Sequence, residues 1–243
     1  MFGWNRYFSV PILPFSSYCT KKCVLPFFCI LSDNHIVPSR KWKVINMKIL
    51  TVVSHPRVQS LTFSVADRFT QGLTDAGHET EVLDLHRSGF NPILWEPDEP
   101  ESSSERKIYS PEVETEIERM KQHDALAYIF PVWWHSFPAI LKGYIDRVWN
   151  NGFAYGSHKL HHKKVLWIGM ASAPKEHYEK YEYDKMMTHH LNIGIAGFCG
   201  VSNSKVEILY DTLDSRPETF DKLLTQAYHL GLFYDNDLKS VAQ

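Results

Sequence analysis

The sequence predicts an α/β fold built on a doubly wound, five-stranded parallel sheet with the strand order 2-1-3-4-5. Three observations support this fold class. Short apolar segments rich in β-branched residues recur along the chain, stretches with helical spacing lie between them, and the two kinds alternate. Right-handed crossover connections leave few other strand orders. A sheet of this order would hold a ligand in the crevice beyond the carboxyl ends of strands one, three and four.

The first part of the predicted fold starts at Met47. Residues 47–54 form a short apolar run, which is typical of a central parallel strand. Residues 61–76 show helical spacing of apolar side chains before Gly77, which predicts a helix that ends at a glycine. Residues 79–85 alternate well enough for a second strand.

A polar connection and further alternating elements follow the second strand. Residues 89–110 are rich in Pro, Asp, Glu and Ser and are therefore predicted to form a long, solvated excursion. The helix predicted over 111–122 has proline in its first turn, with Ser110 as its cap. The remaining strands are predicted at 125–130, 164–170 and 205–210, with helices near 138–149, 183–198 and 216–230.

The composition is that of a soluble globular protein, with 44% hydrophobic and 22% charged residues in a chain of 243. The net charge of −2 is unevenly distributed, because residues 1–46 carry +5 and the remainder carries −7. An acidic body without a basic stripe argues against nucleic acid as a partner. The body holds one cysteine, Cys199, so we expect a reduced, cytoplasmic domain in which a buried Cys199 packs as a small apolar group.

Residues 1–46 differ from the rest and are predicted to be an N-terminal extension before one domain, residues 47–243. Lys21-Lys22 and several prolines cut the apolar part of the extension into pieces shorter than the roughly 20 residues that span a bilayer. A signal peptide fits poorly in position and cleavage site. We expect a translated upstream stretch before a start at Met47, or a disordered extension, with membrane association as the alternative.

The most informative stretch of the chain is residues 130–148. It follows the third predicted strand and sets two tryptophans, a histidine and two prolines into a loop before a helix opens near Pro138. Such a loop lies where open α/β sheets bind ligands, so its indoles suggest a planar, π-rich ligand. The alternative is that Trp133 and Trp134 only fill the gap between helix and sheet, or that one is buried while the other faces the ligand.

This stretch resembles the flavin-binding segment of the flavodoxin-like NAD(P)H:quinone oxidoreductases of the DT-diaphorase type. The resemblance extends from about Met47 to about Tyr234. It implies the flavodoxin-like fold and a bound flavin, which would be FAD, with FMN possible. It also implies that the flavin ring lies against one loop, with Trp134 as the aromatic edge. That loop consists of Pro131, Val132, Trp133 and Trp134.

The loop after the first strand predicts a phosphate site. It leads into a helix N-terminus, where free N–H groups and the helix dipole favour an anion. The spacing His-Pro-x3-Ser resembles the phosphate-binding loop of the same family, and Arg57 or His55 could balance the charge. The alternative is that Ser60 or Thr62 only caps the helix. The predicted contacts are His55, Ser60, Leu61, Thr62 and Phe63.

The loop after the fourth strand supplies the remaining predicted contacts. Its small residues would let the backbone approach a ring edge closely. In the resembling enzymes this loop hydrogen-bonds the pyrimidine side of the flavin. The resemblance places Tyr178 where the family has a tyrosine that stabilises charge on the reduced ring, and the family's partner histidine has no match near Asp184, so His177 or water could replace it. The matching loop positions are Met170, Ala171, Ser172 and Ala173.

The resemblance implies a flavin-dependent NAD(P)H:quinone oxidoreductase that acts as a homodimer. Such an enzyme passes two electrons by a ping-pong scheme from NADH or NADPH to a quinone or a similar flat acceptor. The alternative, of a different class, is a flavin-binding regulatory subunit of a potassium-efflux system, whose partner would be a membrane transporter.

The other polar residues of interest have simpler interpretations. No metal is expected at His161-His162 or His189-His190, because neighbouring side chains diverge and no acidic or cysteine partners surround them. His135 could line the pocket or cap the following turn. Lys142 and Arg147 are predicted to form a solvated helix face, with Asp146 paired to one of them.

Overall fold

The computed structural model describes residues 46–101 and 107–236, and the predictions for residues 1–45 lie outside this part of the chain. The described elements follow one another in the order β1 (Lys48–Val53), α1 (Leu61–Asp75), β2 (Glu79–Asp84), a 3-10 turn (Glu96–Asp98), α2 (Pro111–Lys121), β3 (Ala125–Pro131), α3 (Ala139–Val148), β4 (Val165–Met170), α4 (Lys175–Lys180), α5 (Tyr183–His189), a π-helical segment (His190–Gly197), β5 (Ser204–Leu209) and α6 (Pro217–Leu232).

The five strands form one parallel sheet with the order β2-β1-β3-β4-β5, which confirms the predicted fold class and topology. Strands β1, β3 and β4 lie in the middle and are buried almost throughout, as their apolar runs require. Val53 pairs with Ile129, and Pro131 pairs with Met170, so the carboxyl ends of these strands lie side by side.

Helices cover both faces of the sheet and bury one apolar layer on each. Apolar side chains of α1 and α6, such as Phe69 and Leu223, pack with one face. Those of α2 and α3, such as Ile117 and Leu141, pack with the other face, together with the α4 to β5 region. Cys199 is buried in this second layer, as predicted, and burial raises the pKa of its thiol to about 11. Among the described residues, no helix is long and apolar enough to cross a membrane.

Two helical segments differ from the prediction. The helix predicted over 183–198 is α-helical only to His189 and continues as a π-helix to Gly197. Gly194 and Gly197 have low α-helical propensity, which favours this wider form. Helix α4 was absent from the prediction, because six residues are too few for a periodic pattern. The remaining strand and helix bounds agree within one or two residues.

The prediction of a solvated helix face is wrong for Arg147. Its side chain is 3% exposed and donates to the Asp98 carboxylate at 2.7 Å, and it also pairs with Glu112. The segment 89–110 is correspondingly not a solvated excursion throughout, because Asp98 is itself buried. Ser110 does occupy the N-cap position of α2, but its hydroxyl donates to Asp98 at 2.9 Å rather than capping the helix. The predicted pairing of Asp146 with Lys142 is confirmed.

Candidate functional site

Three loops meet at the carboxyl edge of the sheet. They follow β1, β3 and β4, whose ends are adjacent in the strand order. The Val132 N–H donates to the Met170 carbonyl at 2.8 Å, and the rings of His55 and Trp133 lie 6.3 Å apart. The structure therefore brings all three groups of predicted cofactor contacts to one edge, which is where open α/β sheets bind ligands.

The loop between β1 and α1 presents polar groups that have no protein partner. Ser60 stands at the N-cap position of α1, yet its side chain makes no capping bond, and its Oγ is buried without a hydrogen bond. The Oγ of Ser54 is buried in the same state. Helix geometry also leaves the N–H groups of Leu61 and Thr62 without intrahelical acceptors. An anion would satisfy these donors, because buried polar groups are normally hydrogen-bonded.

The charge of this loop comes from arginine rather than histidine. His55 is 8% exposed, and burial lowers the pKa of its imidazole, so the ring is neutral at pH 7. Its Nδ1 lies 3.1 Å from both the N and the O of the Arg57 backbone. The side chain of Arg57 is exposed and remains a cation. Phe63 is partly buried and packs against the α1 and α6 layer.

The loop between β3 and α3 begins with a tight turn. The Trp133 N–H donates to the Ser136 carbonyl at 2.9 Å, and the Ser136 N–H donates back to Trp133 at 3.0 Å. The two central residues, Trp134 and His135, have φ of 54° and 55°. Turns of this kind favour Asn-Gly, since a left-handed conformation costs other residues about 1–2 kcal/mol each. Backbone strain of this size is typical of segments that bind ligands, and this turn lies at the carboxyl edge of the sheet.

The turn exposes both tryptophans and turns the histidine inward. Trp133 is 46% exposed and Trp134 is 97% exposed, so neither fills a gap between helix and sheet. The bonds of the turn use the amides of Trp133 and Ser136 and not those of Trp134 and His135. A flat ligand could thus contact the indoles and the two central amides together.

His135 contacts two tyrosines that follow β4, Tyr178 and Tyr183. Its ring stacks on Tyr183, with centroids 3.6 Å apart and an interplanar angle of 17°. The edge of Tyr178 lies against it, with centroids 5.8 Å apart. The Nδ1 of His135 is buried without a hydrogen bond. The sequence left two roles open for His135. In the structure its ring packs with Tyr178 and Tyr183, and it makes no capping contact.

Tyr178 lies in α4 and is 4% exposed. Burial raises the pKa of its hydroxyl, so the group keeps its proton and can donate a hydrogen bond at neutral pH. Tyr210 packs on its other side, with centroids 5.4 Å apart. His177 is exposed, and its ring lies 6.3 Å from Tyr178, so His135 is the nearer imidazole. The Asp184 Oδ1 is buried without a hydrogen-bond partner.

In the loop after β4, several backbone N–H and carbonyl groups already have partners within the protein. The Ala171 N–H donates to Leu209 at 2.8 Å, and its carbonyl accepts from the Thr212 N–H and hydroxyl. The carbonyl of Met170 accepts from Val132. Ser172 is exposed and Ala173 is half-buried, so these two residues are the better placed to reach a ligand.

The two histidine pairs are placed differently, because the ring of His190 stacks on Phe137 of the β3–α3 connection, 6.2 Å between centroids, whereas His161 and His162 lie near the end of α2. His161 and His162 stack on each other, and their Nε2 atoms face the carbonyls of His123 and Met120. Within residues 46–101 and 107–236, no three His, Cys, Asp or Glu side chains are grouped to hold a metal ion. Burial lowers the pKa of His162 to about 4, so its ring is neutral under ordinary conditions.

Comparison with known proteins decides the family. The model of a protein family described as a flavodoxin-like fold matches residues 47–229. The chain belongs to this family. The flavodoxin-like fold predicted from the alternating strands and from the residues of 130–148 is thereby confirmed.

Relatives of this flavodoxin-like chain include named oxidoreductases. The protein YcaK of Escherichia coli K12, called an uncharacterized NAD(P)H oxidoreductase, is 40% identical over 167 residues, which make up 68% of this chain and 85% of YcaK. The NAD(P)H dehydrogenase (quinone) 1 of the guinea pig, Cavia porcellus, is 29% identical over 123 residues, 44% of this chain and 45% of that protein.

A solved structure agrees with these relatives. The NAD(P)H:quinone oxidoreductase from Methanothermobacter marburgensis superposes with a TM-score of 0.72 at 30% identity, and the match covers 79% of this chain and 97% of that protein. The resemblance to the flavodoxin-like NAD(P)H:quinone oxidoreductases is confirmed by this structure and by the relatives together.

Sequence reasoning left the place of His135 open and missed Arg87 at the edge of this flavodoxin-like sheet. The inward position of His135 depends on two successive left-handed residues, which the sequence Trp-His gives no reason to expect. No motif in the sequence singles out Arg87, although its position three residues after β2 places it beside the loop that follows β1. That adjacency follows from the strand order and could have identified it.

Proposed function

We propose that this protein is a flavin-dependent NAD(P)H:quinone oxidoreductase that works by a two-electron, ping-pong scheme. The proposal is supported by three features that meet at one edge of the sheet. They are the unpartnered hydroxyls beside the N-terminus of α1, the turn with its exposed tryptophans, and the buried Tyr178. When bound, a flavin supplies hydride transfer between a nicotinamide and a quinone. The names of the relatives support the same class of reaction.

Residues of three loops would bind different parts of the flavin. The hydroxyl of Ser60 and the amides of Leu61 and Thr62 would hold the phosphate of FAD or FMN, and the exposed Arg57 would balance its charge. The Trp134 indole and the two central amides of the turn would orient the ring. Residues Met170, Ala171, Ser172 and Ala173 would line its pyrimidine side, with Ser172 and Ala173 making the direct contacts.

Tyr178 would act on the reaction itself. Its raised pKa keeps the hydroxyl protonated, and a neutral donor stabilises negative charge that develops beside it. His135 flanks this tyrosine and fills the role that the sequence left to His177 or water. NADH or NADPH and the acceptor would use the same slot in turn, which is the structural basis of a ping-pong scheme.

We further propose that the protein acts as a homodimer. Apolar side chains lie exposed in α5, in the π-helical segment and in the residues directly beside them, which suggests that this face is covered by a second subunit. They are Tyr181, Met186, Ile193 and Phe198. The matching relatives are named as oxidoreductases, which favours the enzyme over a regulatory subunit of a potassium-efflux system.

The test is to purify the full chain, release any yellow cofactor by heat and identify it by mass. Consumption of NADH and NADPH is then measured with a benzoquinone, and double-reciprocal plots at several quinone concentrations are compared. Parallel lines and a cofactor of FMN or FAD mass are expected. A protein that neither retains nor binds added FMN or FAD would overturn the proposal. Light scattering on the same sample tests the dimer.

A further inference from the structure

Arg87 makes an unusual set of contacts behind the loop that joins β1 to α1. Its Nη1 donates to the His55 carbonyl at 3.0 Å, and its Nη2 donates to the Pro56 carbonyl at 2.7 Å. The same guanidinium lies over the ring of Phe63, 5.2 Å from its centroid. One side chain therefore joins the start of the loop to the first turn of α1.

The guanidinium is itself held in place by Asp84, the last residue of β2. The two carboxylate oxygens accept from Nη1 at 3.0 and 2.9 Å. The backbone of Arg87 also donates to the Asp84 carboxylate at 3.2 Å. The guanidinium is planar and already held by Asp84, so it loses little further conformational entropy when it donates to two carbonyls. A single ammonium group cannot hold both carbonyls in this way.

These contacts bear on the unpartnered hydroxyls of the loop. Ser54 directly precedes the two carbonyls that Arg87 holds, and Ser60 directly precedes the turn of α1 on which Arg87 rests. A loop held at both ends keeps its N–H and hydroxyl donors directed at one place before an anion binds. Binding then costs less conformational entropy.

We propose that Arg87 is a positioning residue for the phosphate loop and thereby gives the site its preference for phosphorylated flavins over riboflavin. The proposal rests on the proposed flavin binding. It assigns to Arg87 no contact with the ligand. Arg87 acts through His55, Pro56 and Phe63, whereas the charge beside the phosphate belongs to Arg57.

The experiment compares FMN with riboflavin, which differ only in the phosphate. Dissociation constants are measured by quenching of flavin fluorescence with the full chain freed of cofactor. In Arg87→Met the constant for FMN should rise about tenfold, as expected for the loss of two charge-assisted hydrogen bonds, while that for riboflavin stays within about twofold. Arg87→Lys should resemble Arg87→Met, because one ammonium cannot hold both carbonyls.

Arg216→Met is the matched control, since Arg216 also pairs with a nearby aspartate, Asp214, but lies at the surface before α6. It should change neither constant. An equal loss for FMN and riboflavin in Arg87→Met would show general damage to the site and overturn the proposal. Full FMN affinity in Arg87→Lys would also overturn it, because charge alone would then suffice.

Backbone hydrogen exchange of residues 54–63 in the cofactor-free protein gives a readout that needs no flavin. Exchange there should be about tenfold faster in Arg87→Met than in the wild type, with other regions unchanged. Unchanged exchange would overturn the positioning role even if FMN binds normally. A wild-type protein that binds neither flavin, but shows the faster exchange in the variant, would instead remove the proposed function and leave the loop contact intact.

Discussion

Two connections leave the same edge of the sheet and differ in almost every physical respect. The β2–α2 connection, residues 85–110, is tied to α3 by Arg147, which pairs with Asp98 in a buried environment. Asp98 also accepts from the backbone and hydroxyl of Ser110, at 2.8 and 2.9 Å. The β3–α3 connection, residues 132–138, instead presents an exposed Trp134 and an unpartnered His135 Nδ1.

The difference shows that exposure of a connection cannot be judged from its composition. The β2–α2 connection contains many charges, but its backbone lies so close to α3 that a side chain at Gly143 would meet the Pro92 carbonyl at 2.1 Å. The β3–α3 connection contains mostly apolar residues and yet exposes Trp134, the first of its two left-handed residues, almost completely. In its described part, the first connection places a polar group such as the Asp98 carboxylate in contacts within the protein, whereas the second leaves His135 Nδ1 without a protein partner.

The largest predicted effect tests the buried ion pair. In Arg147→Met the unfolding free energy should fall by about 3–5 kcal/mol, because Asp98 would be left as an uncompensated buried charge. Urea unfolding followed by circular dichroism measures the loss. Lys142→Met, on the exposed face of the same helix, should change stability by less than about 0.5 kcal/mol. Equal effects in the two variants would mean that the β2–α2 connection is not held by this pair.

The next effect concerns chemistry at the open edge. Tyr178→Phe keeps the ring packing against His135 and Tyr210 but removes the hydroxyl. Flavin reduction by NADH or NADPH should slow by about 5- to 50-fold at unchanged flavin occupancy, as expected for one donor used mainly in the transition state. Stopped-flow absorbance measures the rate. A wild-type rate would move the role to a neighbouring group, and a loss of flavin would make Tyr178 a binding residue.

A charge placed at the helix N-terminus tests the phosphate site. Ser60→Asp puts a carboxylate where the unpartnered Oγ now lies, so flavin affinity should fall by at least about tenfold, or about 1.4 kcal/mol. Gln71→Glu adds the same charge on the exposed side of α1 and should leave affinity unchanged. Fluorescence titration with FMN compares the variants. Undiminished binding in Ser60→Asp would remove the phosphate assignment.

The fold could be predicted almost completely, and the site only in part. Apolar runs such as those of β3 and β4 mark central strands directly, since both faces of these strands are buried. Ser60 could be placed at a helix N-terminus by local spacing alone. The partner of Arg147 could not be predicted, because Asp98 lies 49 residues away and only the packed fold brings the two together.

The conformation of the aromatic turn was also beyond sequence reasoning. The alternative that one of Trp133 and Trp134 is buried is wrong, because both are exposed where the chain reverses at Trp134 and His135. Local propensity opposes two left-handed residues of this size, so only the surrounding contacts, such as the stack of His135 on Tyr183, stabilise them. The role of Trp134 as the aromatic edge stays a prediction.

The smallest effect tests whether the open connection is strained, by comparing two substitutions of one residue. Trp134→Gly and Trp134→Ala both remove an indole that is almost fully exposed and so contributes little to stability. Only glycine adopts a φ of 54° at low cost, so Trp134→Gly should be more stable than Trp134→Ala by about 1 kcal/mol.

Flavin affinity should fall equally in the two variants, by about threefold to tenfold, because both lose the same aromatic contact. Thermal unfolding and FMN titration on the same samples separate the two quantities. Equal stability of Trp134→Gly and Trp134→Ala would show that the turn is not strained in solution. The two connections would then differ in exposure but not in backbone strain. Unchanged affinity in both variants would mean that Trp134 is not the aromatic edge, and would leave that role to Trp133, whose ring lies 6.3 Å from that of His55.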